Sequence, residues 1–153
     1  MKIFIDADAC PVKEHTYRVA ARYGIKILVV CNHPIHIPAS ESIEMVVTEN
    51  RFDAVDDWIE TNIEKNDIVI TGDIPLAARC LKKEGRVINP RGRIYTEDDI
   101  GEAIATRELL SELRQRGEIG LGPQKMQKKN HSNFLSSLDL VINQVLKQER
   151  ARR

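Results

Sequence analysis

Two aspartates follow a short apolar run at the start of the chain, in the sequence KIFIDADAC at residues 2–10. Asp6 ends the predicted strand and Asp8 comes two residues later, so an extended backbone would point both side chains to the same side. Two carboxylates this close repel each other unless a positive charge lies between them. The spacing therefore predicts a cation-binding pair at the end of the first strand.

Further carboxylates are expected at the same place. Asp73 follows the apolar run at residues 67–71 by two positions, and the carboxyl ends of parallel strands form one edge of a sheet where ligands bind. The helix predicted before that run carries Asp53, Asp56 and Asp57 near its start, and one or two of them could lean over the strand ends. Several carboxylates at one spot cannot all stay ionised without a counter-charge.

Carboxylate ligands of this kind favour a hard divalent cation. Mg²⁺ keeps several water ligands and needs few protein carboxylates, and Mn²⁺ accepts the same ligands. Zinc is not expected, because the four histidines show no i, i+4 pair. We therefore predict Mg²⁺ or Mn²⁺ at a site formed by Asp6, Asp8 and Asp73 with one or two of Asp53, Asp56 and Asp57.

Most of these acidic residues also have a purely structural explanation. Asp8 or Asp73 could cap the helix that follows it. Asp56 and Asp57 could lie in the first turn of their helix, where negative charge is favoured. Capping does not explain Asp6, which ends a strand. The chemical interpretation thus depends on these residues acting together.

Apolar runs and helical segments alternate over the first ninety residues. The apolar runs predict strands at residues 2–6, 25–30, 43–47, 67–71 and 86–88. Helices are predicted between them at residues 11–24, about 52–65 and about 74–84. The strands are apolar throughout, which is typical of a parallel sheet covered on both faces. The sequence predicts an α/β fold in three layers, with a mostly parallel central sheet.

The last part of the chain is predicted to be helical. A capped helix is expected over residues 96–117, followed by a Gly/Pro-rich link and a final helix with an apolar stripe from Phe134 to Leu146. We predict an α/β domain over residues 1–116 and a link with a helical C-terminal extension over residues 117–153. The stripe must pack on the same domain or on a second subunit, which leaves a homodimer open.

The net charge of zero hides two halves of opposite sign. Residues 1–78 carry 7 Lys/Arg and 13 Asp/Glu, a balance of minus 6, whereas residues 79–153 carry 16 and 10, a balance of plus 6. This distribution suits a protein that binds cations in one place and a polyanion nearby. Simple solvation of both surfaces is the alternative explanation.

Arginines after the last predicted strand are the expected phosphate-binding residues. Arg91 and Arg93 lie in NPRGR, at the same sheet edge as the carboxylates, and guanidinium groups can donate two hydrogen bonds to a phosphate. Lysines in the link could extend this surface along RNA, although a solvated linker explains them better: Lys125, Lys128 and Lys129.

The composition predicts a soluble, cytoplasmic protein that does not enter a membrane. No basic and apolar leader opens the sequence, and no apolar run approaches the ~20 residues that a membrane span requires. The three cysteines, Cys10, Cys31 and Cys80, show no C-x-x-C spacing and are expected to be buried packing residues.

Five blocks of the sequence resemble a known family in the same order. They are IDADACP, FDAVDDWI, DIVITGDIPLAARCL, NPRGRIYT and LRQRGEIGLGP, and they are similar to the YaiI/YqxD family of bacterial proteins over essentially the whole chain. That family is placed among the PIN-like domains, which are metal-dependent nuclease folds. The resemblance implies a metal site formed by Asp6 with Asp8 beside it, a helical Asp56 or Asp53, and Asp73 of ITGD.

The implied reaction is metal-assisted hydrolysis of a phosphodiester, with RNA preferred over DNA as the expected substrate. The implied catalytic residues, Asp6, Asp8, Asp56 and Asp73, would be metal ligands rather than nucleophiles. A departure from the PIN-like pattern is that no further acidic residue closely follows Asp73.

Two other functions stay open. IFIDADAC also resembles the Asp-x-Asp signature of haloacid dehalogenase phosphatases, in which Asp6 would be a nucleophile, although Ala77 stands where that superfamily has a second acidic residue. The third alternative is a non-catalytic module that binds RNA or a protein.

Overall fold

A six-stranded sheet with helices on both faces organises the computed structural model, which describes residues 1–117 and 127–152. The strands are β1 (Lys2–Asp6), β2 (Lys26–Cys31), β3 (Ile43–Val47), β4 (Ile68–Ile70), β5 (Arg86–Ile88) and β6 (Ile94–Tyr95). The helices are α1 (Lys13–Tyr23), α2 (Ala54–Asn62), α3 (Ile74–Lys82), α4 (Glu97–Gln115) and α5 (Lys128–Ala151). A single 3-10 turn, Ala7–Ala9, follows β1 directly.

The strand order is β3-β2-β1-β4-β5-β6, and all neighbouring pairs except β5 and β6 are parallel. The chain runs outward from β1 to β3 and then returns to place β4 on the other side of β1. In open parallel sheets, ligands bind at such a point, beyond the carboxyl ends of the strands. The predicted α/β class with a mostly parallel sheet is confirmed, and the site edge lies between β1 and β4.

The strands bury both of their faces because they are apolar on both sides. Ile3 and Ile5 of β1 face a core formed with α1 and α5, whereas Phe4 faces a core formed with α2, α3 and α4. Five residues of the α5 stripe are fully buried in the first core: Phe134, Leu138, Val141, Ile142 and Val145. The C-terminal helix therefore completes one of the two helical layers in this chain.

A glycine in the β5–β6 loop allows α5 to approach the sheet closely. Gly92 has φ +96°, and a Cβ atom there would lie 2.6 Å from the backbone carbon of Asn133. The Ser137 hydroxyl of α5 donates a hydrogen bond to the Gly92 carbonyl. On the far side of the helix, the Tyr23 hydroxyl of α1 donates to the Asp139 carboxylate. These contacts connect α5 to the β5–β6 loop and to α1.

The structure differs from the predicted elements in three places. The strand ends at Asp6, so Asp8 lies in a 3-10 turn and not in an extended segment. The antiparallel β6 is absent from the prediction because two residues are too few to show a period. Lys128 and Lys129 begin α5 and are not part of a linker; Lys125 lies outside the described residues.

The cysteines are free and buried, as predicted. Burial raises the pKa of Cys10 to about 11 and that of Cys80 to about 12, so neither forms a thiolate readily at neutral pH. These side chains fill space in the two cores. Over the described part of the chain, no helix combines the length and the apolar character needed to span a bilayer.

We expect Gly92→Ala to lower the free energy of unfolding by about 2 kcal/mol, because the methyl group clashes with the α5 backbone and φ is positive. Gly101→Ala is the matched control. Gly101 lies in α4 with open space around its Cα, so alanine there should raise the free energy of unfolding by about 1 kcal/mol. Urea denaturation of both variants measures the difference, and equal effects would contradict the proposed close approach.

Candidate functional site

The five aspartates predicted to bind metal line a single cleft at the carboxyl edge of the sheet. The cleft has a volume of about 350 Å³, and its acidic lining residues are Asp6, Asp8, Asp53, Asp56 and Asp73. They come from the end of β1, the 3-10 turn, the start of α2 and the segment between β4 and α3. The folded chain thus brings together carboxylates that are far apart in sequence.

Asp6 lies at the bottom of this cleft. Side chains alternate along a strand, so Asp6 faces the same side of the sheet as Phe4, toward α2 and α3. It is only 5% exposed. The Thr71 hydroxyl donates a hydrogen bond to Asp6 Oδ2 at 2.7 Å. Burial raises the pKa of Asp6, and the nearby carboxylates of Asp73 and Asp8 raise it further.

Thr71 connects two of the carboxylate residues. Its Oγ1 atom donates to Asp6 and accepts the backbone N–H of Asp73 at 2.9 Å. Asp73 in turn caps α3, since its Oδ1 accepts the N–H of Leu76 at 3.1 Å. The capping explanation is therefore correct for Asp73. It uses one oxygen of the carboxylate and leaves Oδ2 for a ligand.

Adjacent aspartates at the start of α2 have opposite environments. Asp57 accepts hydrogen bonds from Arg79 at 2.7 Å and Arg51 at 3.0 Å, and these contacts lower its pKa. Asp56 forms no ion pair with the described residues. Burial and the carboxylates of Asp73 and Asp6 raise the pKa of Asp56 to about 7. Asp56 therefore belongs to the cleft, whereas Asp57 belongs to a surface ion-pair network.

Asp8 and Asp53 lie at the rim of the cleft. The helix-capping alternative for Asp8 fails, because α1 has Val12 at its N-cap position and no side-chain cap. Asp53 occupies the N-cap position of α2 in the left-handed region, with φ +64°, and its side chain does not cap the helix. Both carboxylates are exposed, so they are available to a ligand in the cleft.

The donor atoms of the cleft fit Mg²⁺ or Mn²⁺ in kind, because all five acidic side chains offer carboxylate oxygens and none is ion-paired with a residue that the structure describes. Across residues 1–117 and 127–152, no group of three or more His, Cys, Asp or Glu side chains is placed to hold a metal ion.

The basic residues on the cleft lining are not the predicted ones. Arg51 and Arg107 line the cleft. Arg91 and Arg93 lie in the β5–β6 loop, at the same sheet edge but off the cleft lining, where the Arg93 guanidinium lies 4.8 Å from the centre of the Tyr95 ring. Their role as phosphate-binding residues stays a prediction.

The cleft lining also includes four polar or aromatic residues that the sequence analysis missed: Asn32, Arg51, Phe52 and Arg107. Asn32 directly follows β2, so the strand-edge rule that selected Asp6 also applies to it. No comparable signal marks Arg107, since its place depends on how α4 packs against α3.

The phosphatase alternative gains no support from the described contacts. Ala77, which stands where that superfamily has its second acidic residue, is completely buried in the core between the sheet and α3.

A family model described as "Uncharacterized BCR, YaiI/YqxD family" matches residues 4–144. The chain belongs to the YaiI/YqxD family. A UPF0178 protein of Rhodospirillum centenum is 47% identical over 149 residues, which cover 95% of this chain and 97% of the relative. A UPF0178 protein of Gluconacetobacter diazotrophicus is 49% identical over 142 residues, 93% of this chain and 92% of the relative.

A third relative, a UPF0178 protein of a Bradyrhizobium species, is 44% identical over 150 residues, 98% of this chain and 92% of the relative. The predicted family resemblance is thus confirmed over nearly the full length of the YaiI/YqxD chain. No solved structure matches the chain significantly.

We expect Asp56→Asn to stabilise the metal-free protein at pH 8 by about 1–2 kcal/mol, because it removes a partly buried charge repelled by its neighbours. In the native protein this carboxyl binds a proton below about pH 7, but in the unfolded chain only near pH 4. Its contribution to stability therefore falls as pH rises from about 4 to 7. The gain in the variant should disappear near pH 4.

Asp57→Asn is the matched control, one position along the same helix. It removes a carboxylate that accepts hydrogen bonds from two arginines, so it should lower the free energy of unfolding at pH 8. Urea titrations in EDTA at several pH values measure both variants. An equal gain in both would indicate a general charge effect instead of a specific property of Asp56.

Proposed function

We propose that this protein is a divalent-metal-dependent nuclease with a PIN-like domain, and that it hydrolyses phosphodiester bonds in RNA. The observation that carries the proposal is the convergence of five carboxylates in one cleft at the β1–β4 switch point, none of them ion-paired with a described residue. The neighbouring Asp57, by contrast, pairs with Arg51 and Arg79.

The residues of the cleft have distinct roles in this proposal. Asp6, Asp56 and Asp73 would hold the metal ion, with Asp8 and Asp53 as further ligands at the rim. When bound, Mg²⁺ or Mn²⁺ would act as a Lewis acid and activate a water molecule for phosphodiester hydrolysis. Thr71 would hold the Asp6 side chain and the Asp73 backbone in place through its two hydrogen bonds.

The basic half of the chain would bind the phosphates of the substrate. Arg91 and Arg93 lie at the same edge of the sheet as the cleft, two strands away from β1. We infer that they contact the nucleic acid beyond the cleaved bond. Lys128 and Lys129, exposed in the first turn of α5, could extend this contact.

The test is Mn²⁺-dependent cleavage of a labelled RNA, with Mn²⁺ binding measured by calorimetry. Asp6→Asn and Asp73→Asn should each lower cleavage by about 100-fold or more, since even the partners of metal ligands contribute 10–100-fold. Both variants should stay folded, because asparagine can still accept the bonds from Thr71 and Leu76. Asp98→Asn, an exposed residue of α4 outside the cleft lining, is the control and should cleave normally.

Cleavage by Asp6→Asn at the wild-type rate would overturn the proposal. A wild-type protein that binds no Mn²⁺, with no change on Asp73→Asn, would favour the non-catalytic binding module. Loss of folded structure in either variant without metal would assign the aspartates a structural role.

Thr71 gives a separate test of the site's organisation. Thr71→Val removes the hydroxyl that connects Asp6 and Asp73, so Mn²⁺ affinity should fall about 10–100-fold. Thr71→Ser keeps the hydroxyl and should retain most of the affinity. Calorimetry compares the two variants, and an equal loss of affinity in both would contradict a specific role of the hydroxyl.

A further inference from the structure

An exposed aromatic ring lies at the mouth of the acidic cleft. Phe52 lines the cleft and is 91% exposed, well above the next most exposed large apolar residue of the described chain, Leu109, at 55%. Exposing an aromatic ring forgoes the favourable free energy of burying it. Phe52 therefore presents an exposed aromatic surface beside the five carboxylates of the cleft.

The backbone around Phe52 is held in place although its side chain is not buried. Arg51 donates hydrogen bonds to Glu49, to Asp57 and to the Phe52 carbonyl. Asp53 turns the chain into α2 with a left-handed φ, and the Asp57 N–H donates to the Asp53 carbonyl at 2.8 Å. The ring is therefore presented from an ordered turn.

A positive charge on another helix faces the same cleft. Arg107 of α4 lines it, is exposed and forms no ion pair with the residues that the structure describes. Its guanidinium can donate two hydrogen bonds to a phosphate. Asn32 adds an amide to the lining, which can donate and accept. The cleft thus combines an aromatic ring, a cation and an amide with its carboxylates.

This combination fits an unpaired nucleotide. A base can stack on an exposed ring only when one of its faces is free, as in a single strand. In a duplex, both faces are covered by neighbouring base pairs. A base stacked on Phe52 would bring its phosphate to the cleft that Arg107 and the carboxylates also line.

We propose that Phe52 stacks a base and Arg107 binds a phosphate, so that the cleft takes single-stranded in preference to double-stranded nucleic acid. The inference rests on the proposed nuclease function for the role of the carboxylates. It extends that function by giving two residues outside the predicted metal site, Phe52 and Arg107, the role of selecting single-stranded substrates.

The experiment measures binding separately from cleavage. Fluorescence anisotropy with Ca²⁺ in place of Mn²⁺ gives the affinity of the full chain for a labelled oligouridylate, an oligodeoxythymidylate of equal length and a hairpin duplex. Phe52→Leu should weaken single-strand binding about 5- to 50-fold and hardly change duplex binding. Phe52→Trp should retain the affinity. Comparing the two single strands distinguishes RNA from DNA as the ligand.

Arg107→Gln should weaken binding of both single strands and reduce the slope of log affinity against log salt by about 0.7, the value for one phosphate contact on a single strand. Leu140→Ser and Arg150→Gln are matched controls, since both residues are exposed on α5 and outside the cleft lining. Neither should change affinity. The melting temperature of Phe52→Leu should equal that of the wild type, because the ring has almost no contacts to lose.

Equal loss of single-strand and duplex binding in Phe52→Leu, or no loss of either, would overturn the stacking role. Failure of the wild type to cleave, with the single-strand preference intact and dependent on Phe52, would remove the nuclease proposal but support base stacking. If the wild type cleaves RNA and Phe52→Leu changes neither cleavage nor affinity, the nuclease proposal would stand and the stacking role would be rejected.

Discussion

Mutual repulsion of the carboxylates at the β1–β4 edge is the constraint on which the site depends. Burial and then the neighbouring carboxylates raise the pKa values of Asp6 and Asp56, and neither residue is ion-paired with a described arginine or lysine. A protein that needed only stability would place apolar or paired residues here. Under the proposed function, a bound cation would offset this repulsion.

Ion pairs on the outer face of α2 neutralise charges next to the acidic cleft. Arg79 and Arg51 pair with Asp57, and Arg79 also pairs with Glu60, so the outer face of α2 is neutralised while its inner face stays acidic. Asp56 and Asp57, which are adjacent in the chain, thus have opposite electrostatic environments. This arrangement concentrates the negative potential in the cleft, where a divalent cation would gain most from it.

Thr71 shows how the fold supports the carboxylates without supplying charge. Its hydroxyl is buried between the ends of β1 and β4 and bonds to both Asp6 and the Asp73 backbone. The parallel pairing of Ile5 with Ile70 places Asp6 beside Thr71 one residue later. Strand register therefore determines which side chains meet at the edge, and an error of one residue would turn Asp6 to the opposite face.

Local patterns in the sequence were sufficient to predict the α/β class, five of the strands and the candidate acidic residues at the sheet edge, because apolar runs and strand ends are properties of short segments. Asp8 lines the cleft from a 3-10 turn, which the alternation of an extended strand did not predict. Local patterns did not separate Asp56 from Asp57, and the preference for Asp56 came from the family resemblance. Their different environments depend on where Arg79 of α3 lies relative to α2.

The tertiary structure alone decided that Phe52 and Arg107 border the cleft. Phenylalanine is usually buried, and only the folded chain shows that the Phe52 ring is in solvent. Arg107 lies in a helix whose periodicity contains no information about the distant β1–β4 edge. Short-range chemistry determines secondary structure and strand ends, whereas contacts between segments distant in sequence arise from the packing of whole elements, which single residues do not specify.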